Sequence, residues 1–185
     1  MIIGSNQLPV GFRFMPTDEE LVTHYLMNKV LYRPVPAAQE IREIDAAQFY
    51  SNHPKNLVTF SCGEREWFFF IHHGESGHAS QTSRSSIRVV GNGLGFWKPK
   101  YGSETPICDE DGHFFASKIS LTYFSGRSAS HAKRTHWKLV EYYLHEHDHV
   151  ESNTEEKYQG KRRNITIRIL LSWGTAMIMT YFGKK

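Results

Sequence analysis

From Trp67 to Ile71 the chain reads Trp-Phe-Phe-Phe-Ile, with no polar residue in the run. A strand that alternates polar and apolar side chains can leave one face in water. A strand that is apolar at every position needs cover on both faces. This segment therefore predicts a sheet with a second layer packed on each side of it. Twelve Phe, nine Tyr and four Trp favour strands over a helical bundle. With 39% hydrophobic residues in 185, the chain can build one packed domain, or one domain with a tail.

The rest of the chain supplies candidates for those layers. Thr17-Asp18-Glu19-Glu20-Leu21 has the pattern of a helix start. Thr17 can cap the free backbone N–H groups, with Glu20 three residues on as in a capping box. An apolar stripe through Leu21, Val22, Tyr25 and Leu26 predicts a helix that ends near Leu31, before Pro34 and Pro36. A short second helix is expected at Ala46–Tyr50. Strands are expected at Gly95–Lys100, His113–Phe124 and His136–Leu144, with Asp109-Glu110-Asp111-Gly112 as a hairpin turn. His72–Ser86, rich in His, Gly and Ser, reads as a loop. The pattern as a whole predicts an α+β fold, an antiparallel meander with a helix at its N-terminal side.

Net charge is only +3, but it is unevenly placed. Residues 84–138 carry nine Lys/Arg against four Asp/Glu, whereas residues 1–83 carry six against nine. A polyanion would be drawn to the middle third. Cys62 and Cys108 form no CxxC pair, so neither a disulfide framework nor a zinc finger is expected. His72-His73 with His78, and His145, His147 and His149, lack the Cys pair or carboxylate set of a specific metal site. No HExxH, P-loop or GxSxG motif is present, so no enzyme, cofactor or metal is expected. Met1–Ser5 does not resemble a secretory signal, and the apolar run Ile169–Phe182 is short for a membrane span.

Five ordered blocks carry a resemblance. Leu8-Pro9-Val10-Gly11-Phe12-Arg13-Phe14-Met15-Pro16-Thr17-Asp18-Glu19-Glu20-Leu21 resembles the opening of the plant NAC transcription-factor domain. Glu40–Asp45, Glu66–Phe70, Gly95-Phe96-Trp97-Lys98 and the pair Leu121–Arg127 and Thr135–Leu144 resemble its later blocks, in order. The resemblance covers roughly Leu8 to Leu144. It implies residues 1–7 as a tail, 8–150 as the DNA-binding and dimerisation domain, and 151–185 as a divergent segment with room for a final strand at Ile165–Leu170. It also implies a twisted antiparallel β-sheet flanked by helices, in a nuclear, dimeric, sequence-specific regulator that pushes a sheet edge into the major groove of double-stranded DNA bearing a CGT-type core.

By the same resemblance, Arg13 and Glu20 pair across a two-fold homodimer or heterodimer interface, with Leu8, Pro9 and Phe12 as apolar contacts. Phe96 and Lys98 lie on the groove strand, and Arg84, Arg88, Lys100, Lys133 and Arg134 supply further DNA contacts. Lys161-Arg162-Arg163 is a basic triplet compatible with nuclear import. Two departures stand out. Pro99-Lys100-Tyr101-Gly102 replaces the family's Ala-Thr-Gly, and His72–Ser83 carries no Lys or Arg. Both predict binding weaker than is usual for the family. Pro99, with no acidic or Ser/Gln-rich activation region following, also supports the alternative of a chain that dimerises with relatives and inhibits them.

Overall fold

A computed structural model describes residues 13–58, 65–73, 86–91, 93–109, 111–128, 130–145 and 165–172. Helix α1 begins where the capping pattern predicts. The Thr17 N–H donates to Glu20 Oε2 at 2.7 Å, and the Glu20 N–H donates to Thr17 Oγ1 at 3.2 Å. It is α-helical over Asp18–Glu20, widens to a π-helix over Leu21–Leu26, and is α-helical again over Met27–Val30. Helix α2 (Ala46–Ser51) matches expectation, while the single-turn α3 (Pro54–Leu57) adds a helix started by Pro54.

Eight strands form one sheet: β1 (Ile41–Asp45), β2 (Glu66–His72), β3 (Arg88–Val90), β4 (Gly95–Pro99), β5 (Thr105–Cys108), β6 (Phe114–Ser125), β7 (Lys133–Leu144) and β8 (Ile165–Ser172). Their order is β1-β2-β8-β7-β6-β4-β3, with β5 on the same side of β6 as β4. Every described pairing is antiparallel except β1 with β2, which is parallel. A parallel neighbour needs a long crossover, usually helical, and α2 and α3 lie in that connection. The sheet is therefore mixed rather than purely antiparallel. β8 sits between β2 and β7, so the sheet reaches well past residue 150.

The apolar run of β2 is covered on both faces. Phe68 and Phe70 pack with Leu21, Val22 and Leu26 of α1 and with Ile167 and Ile169 of β8. Trp67, Phe69 and Ile71 point the other way, into a cluster with Phe49, Leu57, Trp97, Tyr123, Trp137, Leu139 and Leu170. Each large apolar side chain fully buried in this way stabilises the fold by roughly 1.5–3 kcal/mol.

Within the second cluster lies a charged group. Glu141 of β7 accepts hydrogen bonds from Arg168 of β8 (Nε, 2.9 Å) and from Arg88 of β3. Arg88 also donates to the Tyr50 hydroxyl of α2 at 3.1 Å, and the Arg168 guanidinium lies over the Tyr50 ring, 4.8 Å from its centroid. Glu141 and Arg168 are only 4% and 1% exposed, so water contributes little to either charge. Burial alone would raise the Glu141 carboxyl, but the adjacent Arg168 and Arg88 guanidiniums hold it down at about 2. Replacing Glu141 with Gln leaves the buried Arg168 and the part-buried Arg88 guanidiniums unmatched. This should cost about 4 kcal/mol in urea unfolding; a variant as stable as the parent would show that the ion group does not hold the core.

Acid should unfold the protein in two steps. Burial, with Arg168 next, holds His73 down at about 4, below its ordinary 6.5. Its contribution is full above pH 6.5 and is lost as pH falls towards 4. That of Glu141 is full above its ordinary 4.5 and is lost as pH falls towards 2. Urea midpoints measured from pH 7 to pH 3 should fall first below about 6.5 and more steeply below about 4.5. His73→Gln should shrink the first decline, leaving the share of His53, which burial also holds below its ordinary range, and should not change the second.

Candidate nucleic-acid interface

Strand alternation divides the sheet into two faces. Among the described residues, the face under α1 is covered only at the end that carries Phe70, Ala116, Tyr142 and Ile167. Asp18 ties α1 there, accepting from the Tyr142 hydroxyl at 2.6 Å and pairing with Lys118. Phe96, Lys98, Thr122, Phe124 and Arg134 occupy the other end of the same face, outside that core cluster.

Cross-strand register sets the pattern there. One row runs Val89–Phe96–Phe124–Arg134 across β3, β4, β6 and β7. The next runs Lys98–Thr122–Lys138. Lys98, Arg134 and Lys138 are all exposed. The Phe96 and Phe124 rings stack at 5.5 Å with planes 6° apart. Lys133 is exposed at the start of β7, and Lys100 just after β4. Lys138 could not be picked out from the sequence beforehand; its signal was its place two turns of the pleat beyond Arg134.

Three expectations change here. Arg88, read as a DNA contact, is turned inward onto Glu141 and Tyr50. Phe96 is only 8% exposed and serves as the stacked base of its row rather than as a projecting contact. Arg84 lies outside the described residues. Pro99 proves compatible with the strand. The Lys100 N–H donates to Ser120 O at 3.1 Å, so by antiparallel alternation the Pro99 nitrogen faces away from β6. On that side β3 has already ended, at the Arg88–Trp97 pairing. The missing N–H therefore removes no ladder bond, and β4 keeps register with β6 from Gly95 to Pro99. Gly95 is required for another reason: a Cβ there would lie 2.4 Å from both the Phe124 carbonyl oxygen and the Tyr123 hydroxyl oxygen.

The second candidate surface lies beside α1. Arg13, Met15, Glu20, Tyr25 and Pro36 line a shallow pocket of about 380 Å³. Arg13 and Glu20 are both exposed. Phe14 anchors this segment, edge-on to Tyr25 at 5.2 Å and to Phe68 at 4.8 Å. Hydrogen bonds from the Thr17 backbone and hydroxyl hold the Glu20 carboxyl below its ordinary range, so it is ionised at neutral pH. Leu8, Pro9 and Phe12 lie outside the described residues.

The sequence model of the No apical meristem (NAM) protein family matches residues 9–144. The chain belongs to this family. Relatives bear the NAC name: NAC transcription factor 56 of Arabidopsis thaliana is 36% identical over 140 residues, covering 74% of this chain and 35% of that protein. NAC domain containing protein 50 of Arabidopsis thaliana is 35% identical over 150 residues (79% and 31%), and NAC domain-containing protein 68 of Oryza sativa subsp. japonica is 35% identical over 144 residues (76% and 42%). The chain thus spans less than half the length of these NAC proteins. The family match ends at Leu144, the last residue of β7, although β8 completes the NAC sheet in this chain.

The inward and outward cations of this NAC domain should separate in thermal unfolding. Arg88→Met should destabilise by about 2 kcal/mol, because Glu141 keeps Arg168 but loses a charged partner. Lys98→Ala and Arg134→Ala should each stay within about 0.5 kcal/mol of the parent. Equal effects from all three would mean that Arg88 is not the interior residue described.

Proposed function

We propose that this NAC domain is a dimeric, sequence-specific double-stranded DNA-binding regulator of transcription that works in the nucleus. The β3–β4 end of the sheet enters the major groove at a CGT-type core. The observation that carries this reading is the open end of the α1 face. Exposed Lys98 and Arg134 stand there on adjacent rows of a rigid sheet, with a strand edge beside them. A sheet edge or two-stranded ribbon fits the major groove, and cations at its rim meet phosphates while the edge meets bases. Lys100, just after β4, and Lys133, level with the start of β4, extend the phosphate contact to either side. The dimer is supported by Arg13 and the ionised Glu20 on one shallow surface, since a two-fold axis would pair each with the other twice.

Fluorescence anisotropy across a salt series tests the proposal, with a CGT-core duplex and a scrambled one. The parent should prefer the core. Lys98→Ala and Arg134→Ala should each reduce the slope of log affinity against log salt by about 1. Equal, weak binding to both duplexes would overturn it in favour of a NAC chain that acts by dimerising with relatives.

A further inference from the structure

The inward turn of Arg88 has a geometric consequence for its neighbours. Side chains alternate along a strand, so with Arg88 on Glu141 and Val90 fully buried, Ile87 and Val89 must face out. They do: Ile87 is 49% exposed and Val89 66% exposed. A slip of one residue would bring Arg88 outside and bury Val89. The ion pair to Glu141 and the hydrogen bond to Tyr50 oppose that slip. Val89 also lies directly across from Phe96, in the row that ends at Arg134, with Lys98 in the neighbouring row of β4. Among the described residues, β3 is the outermost strand at this end of the sheet.

An exposed β-branched side chain at the head of a row that ends in a cation, beside a second cationic row, is unexpected on a surface built only for phosphate. Phosphates and sugar edges offer such a group little to contact. The major groove offers one apolar group on its base pairs, the C5-methyl of thymine. Val is well suited to meet it, because its restricted χ1 leaves little side-chain freedom to lose on contact. Resting on the DNA-binding function proposed above, we infer that Val89 is a specificity-determining residue that reads a thymine C5-methyl in the major groove, with Ile87 extending the same apolar edge. Charge complementarity commits the edge to DNA: Arg134 ends the row that Val89 begins, and Lys98 stands in the row beside it.

Deoxyuridine differs from thymidine only by that methyl group, so it isolates the contact. Anisotropy titrations at fixed salt would compare the CGT-core duplex with duplexes in which each thymine in turn is replaced by deoxyuridine. At one thymine, within or beside the core, the replacement should weaken the parent about fourfold, the value of one buried carbon. Val89→Ala, exposed and safe for the fold, should bind the thymine duplex about as weakly as the parent binds the uracil one. It should also be insensitive to the replacement. A preference for the core that is the same with thymine and uracil at every position overturns this inference alone. So does a Val89→Ala protein that keeps the uracil penalty. No preference for the core in the unmodified duplex overturns both this inference and the function on which it rests.

Discussion

The buried carboxylate of Glu141 organises this domain. It draws in a guanidinium from β3 and another from β8, and through Arg88 it reaches Tyr50 of α2. Four elements distant in sequence thereby meet at one charge. Desolvating three ionic groups is expensive, and an apolar replacement of the same shape can be as stable. What apolar side chains could not supply is direction. The three-residue β3 has too little apolar surface to choose its own face, and Val89 alone would favour turning inward. The pull on Arg88 decides the orientation, and so decides what the outer strand shows to solvent.

The same charge accounts for the position of β8. Arg168 is paired in register with Glu141, and Ile167 and Ile169 on either side point to the α1 face. A strand with this alternation, apolar on one face and Arg then Leu170 on the other, fits the gap between β2 and β7. The Arg168 guanidinium also lies over Phe49 and Tyr50, so its charge faces aromatic rings where it does not face the carboxylate. Residues beyond the family match are thus built into the centre of the sheet.

These couplings mark the boundary of what the residues disclosed in advance. The cap at Thr17, the β2 run, the long strands and the hairpin at Asp109–Gly112 were legible because each is decided by residues a few positions apart. The cap is a local hydrogen bond, and the turn is confirmed by the Asp109 side chain accepting from the His113 N–H at 2.8 Å. Of the candidate surface, the exposure of Lys98 was legible from a matched block, and that of Arg134 from the basic pair that precedes one. Arg88 was not. An arginine in a basic stretch looks the same whether it meets a phosphate or a carboxylate, and its partner Glu141 is 53 residues away. The parallel pairing of β1 was hidden for a similar reason, since it depends on the crossover through α2 and α3 rather than on β1 itself. Val89 was overlooked because one valine carries no motif; only its exposure on an edge strand singles it out.

How much of the sheet remains for a ligand follows from lengths. Helix α1 runs from Asp18 to Val30, and at 1.5 Å per residue it is about 20 Å long. β6 and β7 each have 12 residues, about 40 Å at 3.3 Å per residue. Even lying along the strands, the helix could roof only about half of that face. The ties from Asp18 to Lys118 and Tyr142 place it over one end. At the other end, stacking of Phe96 on Phe124 does for the outer strands what helix packing does for the inner ones. It covers apolar surface within the sheet itself and needs no second layer. Among the described residues, that leaves the edge thin on its outer side, with cations on top and an aromatic base beneath. A thin edge is what a groove about 12 Å wide can admit.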